Sequence, residues 1–314
     1  MPTPTNHEVI RSFVEEERHR RGATVFADER DDTLYSYGYH FPLAVRLPDG
    51  FLVNGSHVSM STTRHQNLTF RVLDDAKERY AVVPFDAIGA TLYGSPNRSP
   101  WPTWQNSTRE AVAEVRANAS IAVPTNGERW REVPYHKSDG TEATRLVHTL
   151  GDAVIRVREH YYISAVDETG VGRGLYFLTE LKTRQAPYSL ADALEMLKPE
   201  AVQNAERSGT EVRRQGEWFA IPQEVATHKL MQDVQRGLAV FRRHHVLGRD
   251  GHHRLTESVI YKHGPQKGDV YARGTMRHTE REHRLLSLPK VWFRIVHATQ
   301  GQSYSLGGRG VQFD

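Results

Sequence analysis

A chain of 314 residues with 38% hydrophobic and 25% charged residues has material for two modest cores, or one large one with insertions, and no run approaches the roughly 18 consecutive apolar residues of a membrane-spanning helix. The lack of cysteine excludes disulfides, iron–sulfur clusters, thiolate zinc sites and cysteine nucleophiles, so any metal must take His, Asp or Glu ligands. The formal net charge is only +3, but residues 228–297 hold nine of the 17 histidines and fourteen Lys and Arg against six Asp and Glu, a local +8 that leaves −5 for the rest.

From the N-terminus, Met1-Pro2-Thr3-Pro4 lacks the basic and apolar regions of a secretory signal, and a cytoplasmic protein is expected. The stripe Val9, Ile10, Phe13 and Val14 predicts an amphipathic helix over 6–21, capped by Gly22. Residues 24–63 read as strands and turns, with Asp49-Gly50 and Asn54-Gly55 as hairpin dipeptides. A short helix from Ser61 through Glu78 and a strand at Tyr80–Phe85 follow. Residues 94–105 are a Pro-rich connection, Thr108–Ala117 a helix, and 124–142 a polar, turn-rich stretch that suggests a domain boundary near 140. Ala153–Val166 and Gly174–Leu181 are strongly β-like. Ser189-Leu190-Ala191-Asp192 opens a helix that runs to Ser208, is broken or restarted at Pro199 and ends at Gly209. Then come a strand at Trp218–Ile221, a helix over 223–241, and strands at Leu255–Tyr261, Val270–Met276 and Val291–Val296. Residues 300–314 read as a loose Gly-rich tail. The expected fold is α+β, mainly antiparallel sheets with flanking helices, in domains 1–140 and 141–299.

Tyr35-Ser36-Tyr37-Gly38-Tyr39-His40-Phe41-Pro42, Ser61-Thr62-Thr63-Arg64-His65-Gln66, Arg214-Gln215-Gly216-Glu217-Trp218-Phe219 and the Arg273-Gly274-Thr275…Arg277-His278 segment together resemble uncharacterised proteins of phages and mobile elements. The resemblance covers most of the chain. It implies a genomic setting and no mechanism. The look-alikes are expected to read Arg-His-x-Glu-His where this chain has Arg277-His278-Thr279-Glu280-Arg281-Glu282-His283, longer by two. Glu280 and Glu282 therefore both stand as the matching acid.

Four groups of residues could carry chemistry. His253, His278, Glu282 and His283 could act as catalytic groups, and the three histidines as ligands to a divalent metal ion, in phosphodiester cleavage. The spacing of His278 and His283 places them on either side of a turn between strands. Alternation in the strand from Val270 sets Tyr271, Arg273, Thr275 and Arg277 on one face, and Arg254 and Lys262 add charge for phosphate contact and base stacking. Tyr37, His40, Arg64 and His65 could line a secondary pocket for an anion or for proton transfer; a hydrogen-bonded structural role is the plainer reading. Arg213-Arg214 before Trp218-Phe219 could place a base on Trp218, against a plainer reading as core aromatics.

The function expected from these features is nucleic-acid binding by a basic, His-rich C-terminal domain, with DNA or RNA as partner, no membrane and a homo-oligomer allowed. A metal-assisted nuclease or phosphoesterase is the alternative, and a structural or interaction protein of a phage assembly is a third. Three features separate them. A binder needs a contiguous basic groove, and a nuclease needs a converging His cluster as well. A structural protein needs a large apolar interface.

Overall fold

The computed structural model describes residues 3–16, 21–30, 32–55, 59–83, 85, 112–113, 115–125, 130–136, 142–148, 152–167, 175–248, 251–279, 283–298 and 303–305. The chain is α+β, with strands in mostly antiparallel sheets and helices at their margins. No helix among the described residues is long and apolar enough to cross a membrane.

Two compact units form: residues 1–166, 176–194 and 300–314, and residues 167–175 and 195–299. The first begins with helix α1 (Asn6–Val14), opened by a capping box between Thr5 and Glu8. It stops at Val14, where the apolar stripe stops. Glu16 then adopts a left-handed conformation (φ 57°), so the helix is shorter than the predicted 6–21. Strands β1 (Val25–Asp28), β2 (Thr33–Ser36), β3 (Pro42–Leu47), β4 (Gly50–Asn54) and β5 (Tyr80–Val83) make one sheet in that order. Helix α2 (Met60–Asp75) provides the crossover that lets β5 lie parallel to β4. Asp49-Gly50 closes the β3–β4 hairpin as expected. Asn54-Gly55 does not close one: Asn54 is buried at the strand end, and its amide donates to the carbonyl of Pro42.

A second sheet has the order β18 (Ser303–Ser305), β11 (Leu175–Leu181), β10 (His160–Asp167), β9 (Ala153–Val157), β6 (Ala119–Val123). Ile121, Ile155, Val157, Tyr162 and Leu178 join Leu52, Phe70 and Val82 in one apolar cluster. That shared core keeps β9–β11 with the N-terminal unit, so the units do not divide at residue 140. The stretch around 140 holds a hairpin, β7 (Trp130–His136) with β8 (Glu142–His148), where the sequence suggested only turns. Of the expected tail, Ser303–Ser305 pair with β11.

The second unit carries helices α3 (Leu190–Met196, which starts in the first unit's residues), α4 (Glu200–Arg207) and α5 (Thr227–Gln235). As predicted, α3 and α4 divide at Pro199. Its sheet has the order β12 (Arg213–Gln215), β13 (Trp218–Gln223), β17 (Leu286–His297), β16 (Val270–His278), β15 (His253–Tyr261), β14 (Ala239–Leu247). The helix expected over 223–241 ends earlier. Gly237 takes a left-handed turn (φ 75°), and the chain re-enters the sheet as edge strand β14. The charged Arg242-Arg243-His244-His245 suits an exposed edge and hid the strand in the sequence. One face packs Leu247, Leu255, Ala272, Met276, Leu288 and Phe293. The other packs Val259, Tyr271 and Trp292 against Leu230 of α5.

Candidate metal centre

His253 opens β15 and His278 closes β16, and the two are register partners. Leu247 is the partner of His253 on β14. Strand alternation turns His253, Leu255, Met276 and His278 to one face, so both imidazoles extend the buried apolar row. His283 comes from the β16–β17 connection. Gln215 ties that connection down: its Nε2 donates to the carbonyl of Met276 at 3.2 Å and to that of Arg284.

One potential ligand atom from each of the three histidines lies within 4.8 Å of the others. The ring centroids are 4.8 Å apart for His253–His278, 5.1 Å for His278–His283 and 5.6 Å for His253–His283. Exposure is 4%, 7% and 8% for His253, His278 and His283, far below what a solvated turn would give. These three buried histidines could form a metal site.

Electrostatics favour neutral imidazole at His253. Burial, and then the charges on His278, His283, His252 and His297, push its pKa down to about 3. A neutral ring is the ligand form. Its Nε2 is buried with no hydrogen-bond partner among the described residues, a costly state for a polar atom unless something binds it. Nδ1 instead faces Glu217 Oε1 at 3.5 Å.

Around this centre stand His252, His297 and Gly216, to which the sequence reading gave no role in a site, and Trp218, which it weighed as a base-stacking ring. His252 stacks on His278 at 5.4 Å. His297 meets Trp218 edge-on at 4.6 Å, and Trp218 lies 6.4 Å from His253. Gly216, in the β12–β13 turn, has φ 58°, and a Cβ there would sit 2.9 Å from His283 Nε2. The one available signal was Gly216 itself, a glycine between two short β-like runs and next to a carboxylate. Glu282, the expected acid, lies outside the described residues, as does Glu280.

The expected phosphate face is only partly assembled. Arg254 and Arg277 are exposed register partners, on the opposite face of these strands from His253 and His278. Next to them Thr256 and Thr275 share a 2.7 Å hydroxyl hydrogen bond. Arg273 is not available in the way expected: its Nε donates to Glu257 at 2.7 Å, and its guanidinium lies over the Trp292 ring at 4.9 Å. Tyr271 is 6% exposed, packed beneath α5, and its hydroxyl accepts from Gln266, so its ring cannot stack on a base. Lys262 is exposed beyond the far end of β15, roughly 26 Å along the strand from Arg254 at about 3.3 Å per residue. Phe219 is core, as the plainer reading had it, while Trp218 borders the histidines.

In the N-terminal unit, His65 is 7% exposed. Its Nδ1 is 2.7 Å from Ser36 Oγ, and its Nε2 lies 3.1 Å from Asn6 Nδ2 and 3.2 Å from Thr24 Oγ1. Burial lowers its pKa. Tyr37 covers it at 5.4 Å between ring centroids. Arg64 is exposed on α2, and His40 is exposed with its ring against Gly38. Ser36 is fully buried, so this is a hydrogen-bonded structural histidine and not a nucleophile dyad.

No protein-family model, curated protein or solved structure matches the chain.

Proposed function

We propose that the unit of residues 195–299 is a three-histidine transition-metal centre that serves metal-assisted hydrolysis of phosphoesters. The observation that carries this is the convergence of three buried imidazoles, with an Nε2 on His253 that is buried and unpartnered among the described residues. Imidazole sites suit zinc, copper, iron or nickel, whereas magnesium and calcium prefer oxygen. Three protein ligands leave one position of a tetrahedral zinc for water, the pattern of catalytic rather than structural sites. Zinc there would lower the pKa of that water towards 7 and supply a nucleophile. Arg284, exposed and next to the ligand His283 in sequence, adds a cation that suits a phosphodiester. The resemblance to phage and mobile-element proteins supplies a setting in which nucleic acid is the abundant phosphodiester.

Calorimetry on chelator-stripped protein tests this reading. Zinc is expected to bind one per chain at sub-micromolar Kd, and magnesium not at all. Zinc-dependent cleavage of an activated phosphodiester would follow. Equally weak binding of zinc, manganese and magnesium would remove the proposal.

Nucleic-acid binding stands as a second reading, favoured by one specific observation. Arg254 and Arg277 lie opposite each other with no carboxylate partner among the described residues, a like-charge pair that an anion would relieve. The double variant Arg254→Ala/Arg277→Ala should weaken binding to DNA or RNA and reduce the salt slope by about two. No binding by the wild-type chain at low salt, to single or double strands of either, would end this reading. An unchanged slope would remove these two residues from it.

A further inference from the structure

We infer that the β12–β13 turn, Gln215-Gly216-Glu217, is the outer shell of the metal centre, each of its residues placing ligands, and that His253 coordinates through Nε2 while Glu217 holds its Nδ1–H. This rests on the metal-centre reading and deepens it. The three roles are chemically distinct. Gln215 donates to the carbonyl of Met276, two residues before His278, and to the carbonyl of Arg284, just after His283, so one buried amide sets the separation of the two ligands. Gly216 has no side chain where the His283 ring must pass; a Cβ would stand 2.9 Å from Nε2, and its φ of 58° is one that L residues rarely adopt.

Glu217 decides the tautomer. Its carboxylate stands 3.5 Å from Nδ1 of His253, and the other ring nitrogen is buried with no hydrogen-bond partner among the described residues. A proton on Nδ1 satisfies the carboxylate and leaves the Nε2 lone pair free for an ion. The opposite tautomer would leave Nδ1 bare towards a carboxylate and bury an N–H without an acceptor. A carboxylate behind a ligating imidazole fixes the ring and raises its basicity. The backbone carries the turn to the same place: the Ala298 N–H, just past His297, donates to the Glu217 carbonyl at 2.8 Å.

The test uses the full chain and zinc(II), with affinity read by competition against a chromophoric chelator. Glu217→Ala should weaken zinc binding about 10- to 100-fold. Glu217→Gln should fall between it and wild type, because an amide oxygen still accepts the Nδ1–H. Gly216→Ala should weaken zinc binding at least as much as Glu217→Ala. Ring-¹⁵N spectra of the metal-free wild type should show His253 protonated at Nδ1, and Glu217→Ala should mix the tautomers. If the wild-type chain takes up no zinc, the metal-centre reading fails and this inference with it. If the wild type binds zinc and Glu217→Ala stays within twofold of it, the inference alone is overturned.

Discussion

His253→Ala, His278→Ala and His283→Ala are each expected to weaken zinc binding by on the order of a thousandfold or more, while His252→Ala and His297→Ala change it only severalfold. The contrast follows from geometry. The first three bring ligand atoms within 4.8 Å of one another; the other two border the site through ring contacts with His278 and Trp218. A zinc ion about 2.1 Å from each nitrogen would hold them about 3.4 Å apart, and two imidazoles alone leave half of a tetrahedral shell to water. Zinc affinity of this kind is also folding free energy, so the same three variants should lose the zinc-induced rise in melting temperature. Calorimetry and thermal melts on the five variants check this. Uniform effects across all five histidines would mean diffuse binding by an imidazole-rich surface and not a centre.

The second large effect is on acid stability of the metal-free chain. The folded-state pKa of His253 is about 3, below the ordinary value of 6.5, chiefly because of burial. Above 6.5 the ring is neutral in both folded and unfolded chains. As pH falls from 6.5 towards 3, the unfolded chain takes up a proton that the folded chain refuses, so stability is lost across that window and levels off below it. The slope approaches about 1.4 kcal/mol per pH unit, or about 2 kcal/mol between pH 6.5 and 5. His253→Leu removes this group, so the wild-type-minus-variant stability difference, from urea melts, should shrink by that amount between those pH values. Zinc should move the wild-type loss to lower pH, since metal competes with the proton for the same nitrogen. A difference independent of pH would show that His253 titrates normally.

Parts of both fold and site were legible in the residues. The density of His, Arg and Glu between 273 and 284 marked the right region, and the five-residue step from His278 to His283 required a turn between them. The pairing of His253 with His278 depends on strand register, which a β15–β16 hairpin with a bulge between Leu255 and Glu257 sets and local spacing does not. Alternation correctly put Tyr271, Arg273 and Arg277 on one face. It could not show that α5 covers the Tyr271 end or that Glu257 takes up Arg273. Glu217 was invisible as a site residue because it stands 36 positions before His253 and meets it only through the sheet order β13-β17-β16-β15. Strand β14 was hidden by its own charge, and the division into units by a core that Ile121, Ile155, Val157, Tyr162 and Leu178 share with the N-terminal sheet.

In the proposed centre three histidines of the second unit hold one metal ion and leave one position open. X-ray absorption at the zinc edge of the full chain loaded with one equivalent reads this directly. A four-atom shell of nitrogen and oxygen at about 2.0–2.1 Å is expected, with the outer scattering of three imidazoles and one light oxygen ligand. A six-atom oxygen-dominated shell with one imidazole or none would contradict it.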